Sequence, residues 1–384
     1  MVDSKQRNLT RCNGQVSKGV VDLPLEIISD ILSRLPIESI MTCRVVCKSW
    51  YSLTQDPDFI NLQLSRSNYQ PTRIILQPLS DRDTNYTVNH LLLLDTEEHK
   101  SKRIPIQRML LKDRRVMCSC NGLLCIASNN KLDPVFICNP ITRNHMKLPS
   151  SNSKLDSPSH QVGLGLDPST GKYKVVRLYK DKSKASRFEI LSLGESSWRE
   201  LSVPHIIPGC HALGSVFWNG TLCWTMIKRV SLDSYNISIL AFDLTEEKFQ
   251  IISLPTEFSP QPYFDLLDLD GYLTLVEHDS DLMKVWRLTG EKVGDFSLCL
   301  EQTYETHVSW NDSLTYAVFG RLNHNDYLLH VGFWKDQHLK THITQFFPQK
   351  VQYVHVDIPD ISDNFKVFCF KPSLVSPVAA SCLS

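Results

Sequence analysis

"NGLLCI", Asn121 to Ile126, returns twice along the chain, as "NGTLCW" from Asn219 to Trp224 and as "DGYLTL" from Asp270 to Leu275. Each copy is a polar residue and a glycine, a pair suited to a tight hairpin turn, feeding an apolar strand. Pro168 to Val176 (PSTGKYKVV) is a looser copy. The turn glycines are Gly122, Gly171, Gly220 and Gly271, with Gly320 as a fifth, at separations of 49, 49, 51 and 49 residues. A second unit lies between them. Phe136 to Pro149 and Phe242 to Pro255 each read as an apolar strand, a polar turn and a strand that ends in Leu-Pro. Phe188 to Leu201 and Val285 to Val293 are further versions.

A repeat of this length with about four short strands fits one blade of a β-propeller in the kelch size class. The run Ile237 to Leu244 (ISILAFDL) agrees. Ile237, Ile239 and Ala241 face one way and Leu240, Phe242 and Leu244 the other, so the strand needs apolar cover on both sides, as stacked blades supply. Residues 72 to 115 and 314 to 370 add a first and a last unit, for about six blades. An irregular β-sandwich, or a pair of sheets, is the competing architecture, since one sequence does not fix strand pairing.

The N-terminal part has a different period. Ile27, Ile28, Ile31, Leu32 and Leu35 mark one face of a helix, with Pro24 at its start and Pro36 at its end. Ile40, Cys43, Cys47 and Trp50 mark a second helical face, which Val45 and Val46 broaden, until Asp56-Pro57-Asp58 breaks the pattern. A three-helix piece of about 40 residues sits near the lower size limit for folding alone. Its apolar positions exceed what its own interior hides, so part of the set is expected to face a partner. The boundaries read from these patterns are a disordered segment 1–19, a helical domain 20–64, a β-domain 72–370 and a flexible tail 371–384.

The chemistry of an enzyme is not legible. Ser169 to Lys172 (STGK) lacks the glycine spacing of a phosphate loop and precedes a strand. No serine-hydrolase elbow or paired-histidine zinc motif occurs. Asp268 and Asp270 share a face but read as acids flanking a turn. Cys118, Cys120 and Cys125 lie in a strand-like run and read as buried thiols rather than metal ligands. No cofactor is implied.

Composition narrows the function further. The chain has 384 residues, 42% of them hydrophobic, with 41 basic and 41 acidic side chains and a net charge of 0. There is no basic stripe for nucleic acid; Lys180 to Arg187 (KDKSKASR) reads as a solvated turn. The first twenty residues are polar and lack an apolar signal core, and no apolar run is long enough to span a bilayer. The twelve cysteines are then expected to be reduced, and the expected location is cytoplasmic or nuclear.

One resemblance covers nearly the whole chain. Leu23-Pro24, Ile31-Leu-Ser-Arg-Leu-Pro36, Cys43-Arg-Val-Val-Cys-Lys-Ser-Trp50, Asp56-Pro57 and Phe59 resemble an F-box of the large plant group. Downstream, the C-N-G-L-L-C turn, the C-N-P-x-T-R strand and the G-L-G-x-D-P-S-T-G-x-Y-K-V-V run resemble the F-box-associated domain of that group. In the last third only Trp310, Tyr316 and Phe319-Gly320 carry the likeness. The resemblance implies a substrate-receptor subunit of an SCF-type ubiquitin ligase. Its F-box would dock on a Skp-type adaptor, linked to a cullin and a RING subunit, while the β-domain holds the target protein. The chain itself would catalyse nothing. The expected adaptor-contact set is Leu23, Pro24, Ile28, Ile31, Leu32, Leu35, Pro36, Ile40, Val46 and Trp50, with Ile27, Cys43 and Cys47 turned inward. Loops Ser150–His160, Lys180–Arg187 and Phe258–Tyr263 are the expected target readers. The alternative is a propeller that binds a glycan or peptide outside any ligase.

Overall fold

The computed structural model describes residues 23–67, 73–79, 90–95 and 100–378, the last span with short gaps of which 152–159, 203–209, 256–263 and 307–313 are the longest. The expected disorder at 1–19, Trp310 and most of two expected reader loops lie outside the described residues. Six four-stranded antiparallel sheets follow one another as the blades of a propeller. The sandwich alternative is thereby excluded.

The first strands of neighbouring blades pack on one another around the centre. Those of blades two to six are Arg115–Cys120, His160–Leu166, His211–Trp218, Phe264–Leu269 and Leu314–Leu322. Middle strands are buried on both faces: Thr221–Arg229 and Tyr235–Asp243 carry Trp224, Phe242 and their neighbours into apolar layers between blades. Outer strands are exposed, as Ser297–Glu305 shows. Blade stacking thus produces the doubly apolar middle strands and the mixed outer ones.

The repeated turns have the backbone their residues permit. Asn121-Gly122, Asn219-Gly220 and Asp270-Gly271 all take positive φ, from 43° to 85°, the left-handed pair that a two-residue hairpin needs. Gly320 does not belong to this set. It sits inside an inner strand, at a register shift between Val318 and Gly320. Residues 314–370 are likewise not one last blade. Blade six ends at Val356, and Phe365–Phe370 returns to pair with Arg73–Pro78, filling the inner position of blade one. The ring is closed by strands from the two ends of the β-domain.

Among the described residues four helices precede the propeller: α1 (Leu25–Ser33), α2 (Ile37–Cys43), α3 (Lys48–Leu53) and α4 (Pro57–Ser67). Asp56-Pro57-Asp58, read from sequence as a break, is the start of α4. The Asp56 carboxylate accepts the Asp58 and Phe59 amides at 2.8 and 3.3 Å, and Pro57 takes the first helical position, where it loses no hydrogen bond. Leu32, Ile37, Ile40 and Phe59 form the helical core together with Leu374, which comes from beyond the last strand. Residues 371–375 are therefore not a loose tail. Ser373, Leu374 and Val375 are buried, and Asn139 Nδ2 donates to the Ser373 and Val375 carbonyls at 2.9 and 2.8 Å.

Candidate functional site

The helical unit carries the sequence-predicted contact residues, and its own packing sorts them. Pro24 and Pro36 play the same part: the Pro24 carbonyl accepts the Ile27 and Ile28 amides, and the Pro36 carbonyl accepts those of Ser39 and Ile40, at 2.9–3.1 Å. Each Leu-Pro pair thus opens a helix at a fixed angle. Leu32 and Ile40 are 2% and 0% exposed. They face inward, into the core with Phe59 and Leu374. Ile28, Leu35 and Trp50 are half-buried at the edge of that core. Leu23, Pro24, Ile31, Pro36 and Val46 stand on the surface.

Ile27 is the opposite case. It was expected inside and lies exposed on α1 with Leu23, Leu25 and Ile31. Cys47 is also exposed, and Cys43 is half-buried against the core. Between α2 and α3, Val45 and Val46 are 84% and 63% exposed, and Tyr51 projects from α3. The sequence stripe is wider than one face, and the excess became this outer apolar surface.

Polar contacts hold that surface in shape. Arg44 spans from the end of α2 to the end of α3, donating from Nε to Thr54 Oγ1 at 3.1 Å and from Nη2 to the Thr54 carbonyl at 3.0 Å. Burial lowers the Arg44 pKa, yet the two bonds pin the turn that presents Val45 and Val46. Asp30 joins α1 to α4: it binds Arg34 and Arg66, whose hydrogen bonds hold its carboxyl at about 2. Arg73, at the start of the first propeller strand, pairs with Glu38 of α2. Ile60 and Leu64 of α4 pack on the apolar layer between blades two and three. The helices are thus seated on the propeller, with α1 and the 44–47 turn facing out.

The acids and thiols noted in the sequence serve the fold. Asp268 accepts the Gly271 amide and pairs with Lys371 at 3.4 Å, serving its turn and the strap after the last strand. Asp265 accepts the Val318 amide at 2.7 Å and contacts His278, tying blade five to blade six. Cys118, Cys120 and Cys125 are buried, and among the described residues no three side chains of metal-binding type are grouped. Among the same residues no helix is long and apolar enough to cross a membrane.

Comparison with known proteins agrees with this division. Residues 21–62 match the F-box domain, and residues 79–371 match the F-box associated beta propeller domain. Three Arabidopsis thaliana proteins are similar along much of their length. F-box protein At5g49610 is 31% identical over 69% of this chain and 75% of its own. F-box proteins At5g65850 and At3g07870 are each 31% identical, over 66% and 62% of this chain. This chain spans 62% of the length of each of those two. The outward apolar helices, the six blades and these matches have one reading: the chain belongs to the plant F-box family whose F-box is followed by an F-box-associated β-propeller.

Proposed function

We propose that this protein is the substrate-receptor subunit of an SCF-type ubiquitin ligase. Its F-box docks on a Skp-type adaptor, and through it on a cullin and a RING subunit, while the propeller holds a target protein. The observation that carries this reading is an apolar surface left over after the core is full. Leu32, Ile37, Ile40, Phe59 and Leu374 fill the helical interior, yet Leu23, Leu25, Ile27, Ile31, Val45, Val46 and Tyr51 remain in solvent. Fully burying one such side chain stabilises by roughly 1.5–3 kcal/mol as an upper bound. A few of them together offset the loss of freedom on association.

The proposed contact set is therefore Leu23, Pro24, Ile27, Ile31, Pro36, Val45 and Val46, with Ile28, Leu35 and Trp50 at its edge. Ubiquitin transfer belongs to other subunits, and this chain supplies two binding surfaces. The place of work is the cytosol or nucleus.

The test is a double variant, Ile31→Asp with Val46→Asp, co-expressed with a Skp-type adaptor. Both residues are exposed, so the fold is expected to stand, as far-UV circular dichroism and melting would show. Adaptor co-purification is expected to be lost. A folded double variant that still co-purifies with the adaptor overturns the proposal.

A further inference from the structure

A cavity of about 300 Å³ lies between the outer parts of blades one and two. One wall comes from the segment that follows the outer strand of blade one, Lys100–Pro105, and carries Ile106 and Leu110. The other comes from Phe136–Cys138 of blade two and the turn after it, and carries Cys138 and Pro140. Ile106, Leu110 and Cys138 are buried. Burial pushes the Cys138 thiol up to about 12, so this floor carries no charge. Gln107 and Arg143, both exposed, and the half-buried His145 line the same cavity.

The turn that presents Arg143 has a counterpart in blade four. The Asn139 amide donates to the Asn144 carbonyl at 2.8 Å, and the Asn139 side-chain oxygen accepts the Ile141 and Thr142 amides at 2.9 and 3.2 Å. Asp243 repeats the pattern: its amide donates to the Lys248 carbonyl at 3.0 Å, and its carboxylate accepts the Thr245 and Glu246 amides at 2.7 and 2.8 Å. Four residues on, Arg143 and Glu247 hold the same place, both at positive φ, 63° and 54°. That conformation is strained for a long side chain. In blade four the strain is offset, because Glu247 reaches back to blade three and pairs with Lys174 and Arg199 at 3.3 and 2.6 Å. Arg143 has no carboxylate partner among the described residues, and none of those lining the cavity is an acid. A strained position whose charge meets an open cavity instead of an ion pair is one to read for a ligand.

We infer that this cavity binds a small organic acid, its apolar body on Ile106, Leu110 and Cys138 and its carboxylate on Arg143, with Gln107 and His145 within the same lining to hydrogen-bond it. The volume is at the lower end of small-ligand sites, and an apolar floor with a few polar groups is their usual make-up. An inorganic anion would leave the floor unused, and a cation would face Arg143. The site is separate from the adaptor surface and does not depend on the receptor role. It does touch the seat of the F-box: Asn139, in the lining, donates to the Ser373 and Val375 carbonyls, and Ile141 of the same turn packs on the helical core. An occupied cavity therefore steadies the turn that holds the strap.

Ligand-observed NMR titration of the full chain with hexanoate, 4-phenylbutyrate and 2-naphthylacetate is the test, beside 4-phenylbutyramide, 4-phenylbutylamine and inorganic phosphate. At least one acid is expected to bind saturably, and the amide, amine and phosphate roughly tenfold more weakly or less. Arg143→Asn removes the cation but keeps a residue suited to the left-handed turn, and is expected to weaken the acid roughly tenfold. Gln107→Trp, at an exposed position, is expected to obstruct the cavity and weaken it similarly. Lys147→Ala, exposed on the adjoining strand and outside the lining, is expected to bind as the parent does. Hydrogen exchange with the acid bound is expected to slow in residues 139–145 and 373–376, a change that binding elsewhere would not give. Failure of all three acids to bind overturns the inference, as does an amide, amine or phosphate that binds as tightly as the best acid. Unchanged affinity in Arg143→Asn, or protection confined to other segments, overturns it too. If Arg143→Asn does not melt like the parent, Arg143→Gly, which also tolerates the positive φ, serves in its place.

Discussion

Ile27 and Leu32 stand on the same helix, one in solvent and one in the core, and their substitution should differ accordingly. Leu32→Ala removes a buried side chain from the seat shared with Phe59 and Leu374 and is expected to destabilise by about 2–5 kcal/mol. Ile27→Ala is expected to change stability by no more than about 0.5 kcal/mol. Thermal melting of both variants checks the pair, and equal effects would contradict the inward and outward assignment. At the same scale, His330 is held neutral: burial first, and then His342, lower its pKa to about 4, and its ring lies 5.1 Å from that of Phe365. An unfolded histidine titrates near 6.5, so the unfolded chain binds the extra proton at a higher pH than the folded one. Stability from this group is full above about 6.5 and falls as pH drops toward 4. His330→Phe is expected to flatten that part of the melting-temperature profile relative to the parent.

Elements were legible where one residue type permits one backbone. Asn121-Gly122, Asn219-Gly220 and Asp270-Gly271 announced their hairpins because a left-handed pair excludes most side chains. Gly320 kept the spacing but not the role, since a glycine at a strand irregularity looks the same in sequence as one in a turn. Asp56-Pro57 carries a start signal, an N-cap followed by proline, that looks the same in sequence as a stop because proline serves both purposes. The inner side of α1 was not legible. Its stripe is apolar over more than one face, and the residues that choose between faces, Phe59 and Leu374, come from α4 and from the far side of the β-domain. Asp56→Ala is expected to cost about 0.5–2 kcal/mol, with α4 losing amide protection before the other helices. Uniform protection in that variant would show that packing alone sets the start of α4.

The whole molecule behaves as two folds with shared parts. Leu374 belongs to the helical core, and its neighbour Val375 to the layer between blades two and three, where Ile60 and Leu64 of α4 also pack. Arg73 and Glu38 join the same two bodies by charge. Calorimetry of the full chain is expected to give one main transition, and removal of residues 371–384 is expected to release the F-box as a separate, lower one. Two transitions in the intact chain would mean that the seat contributes little.

Phe365–Phe370 fills the inner place of a blade whose other three strands lie at the opposite end of the β-domain, and the strap that follows completes the helical core. A ribosome delivers those residues after five blades are already in place. Until then the nascent protein has an open ring and an F-box missing one of its core side chains. A chain that stops short of Phe365 therefore lacks both the inner strand of blade one and a side chain of the helical core, so one truncation opens the ring and hollows the F-box together.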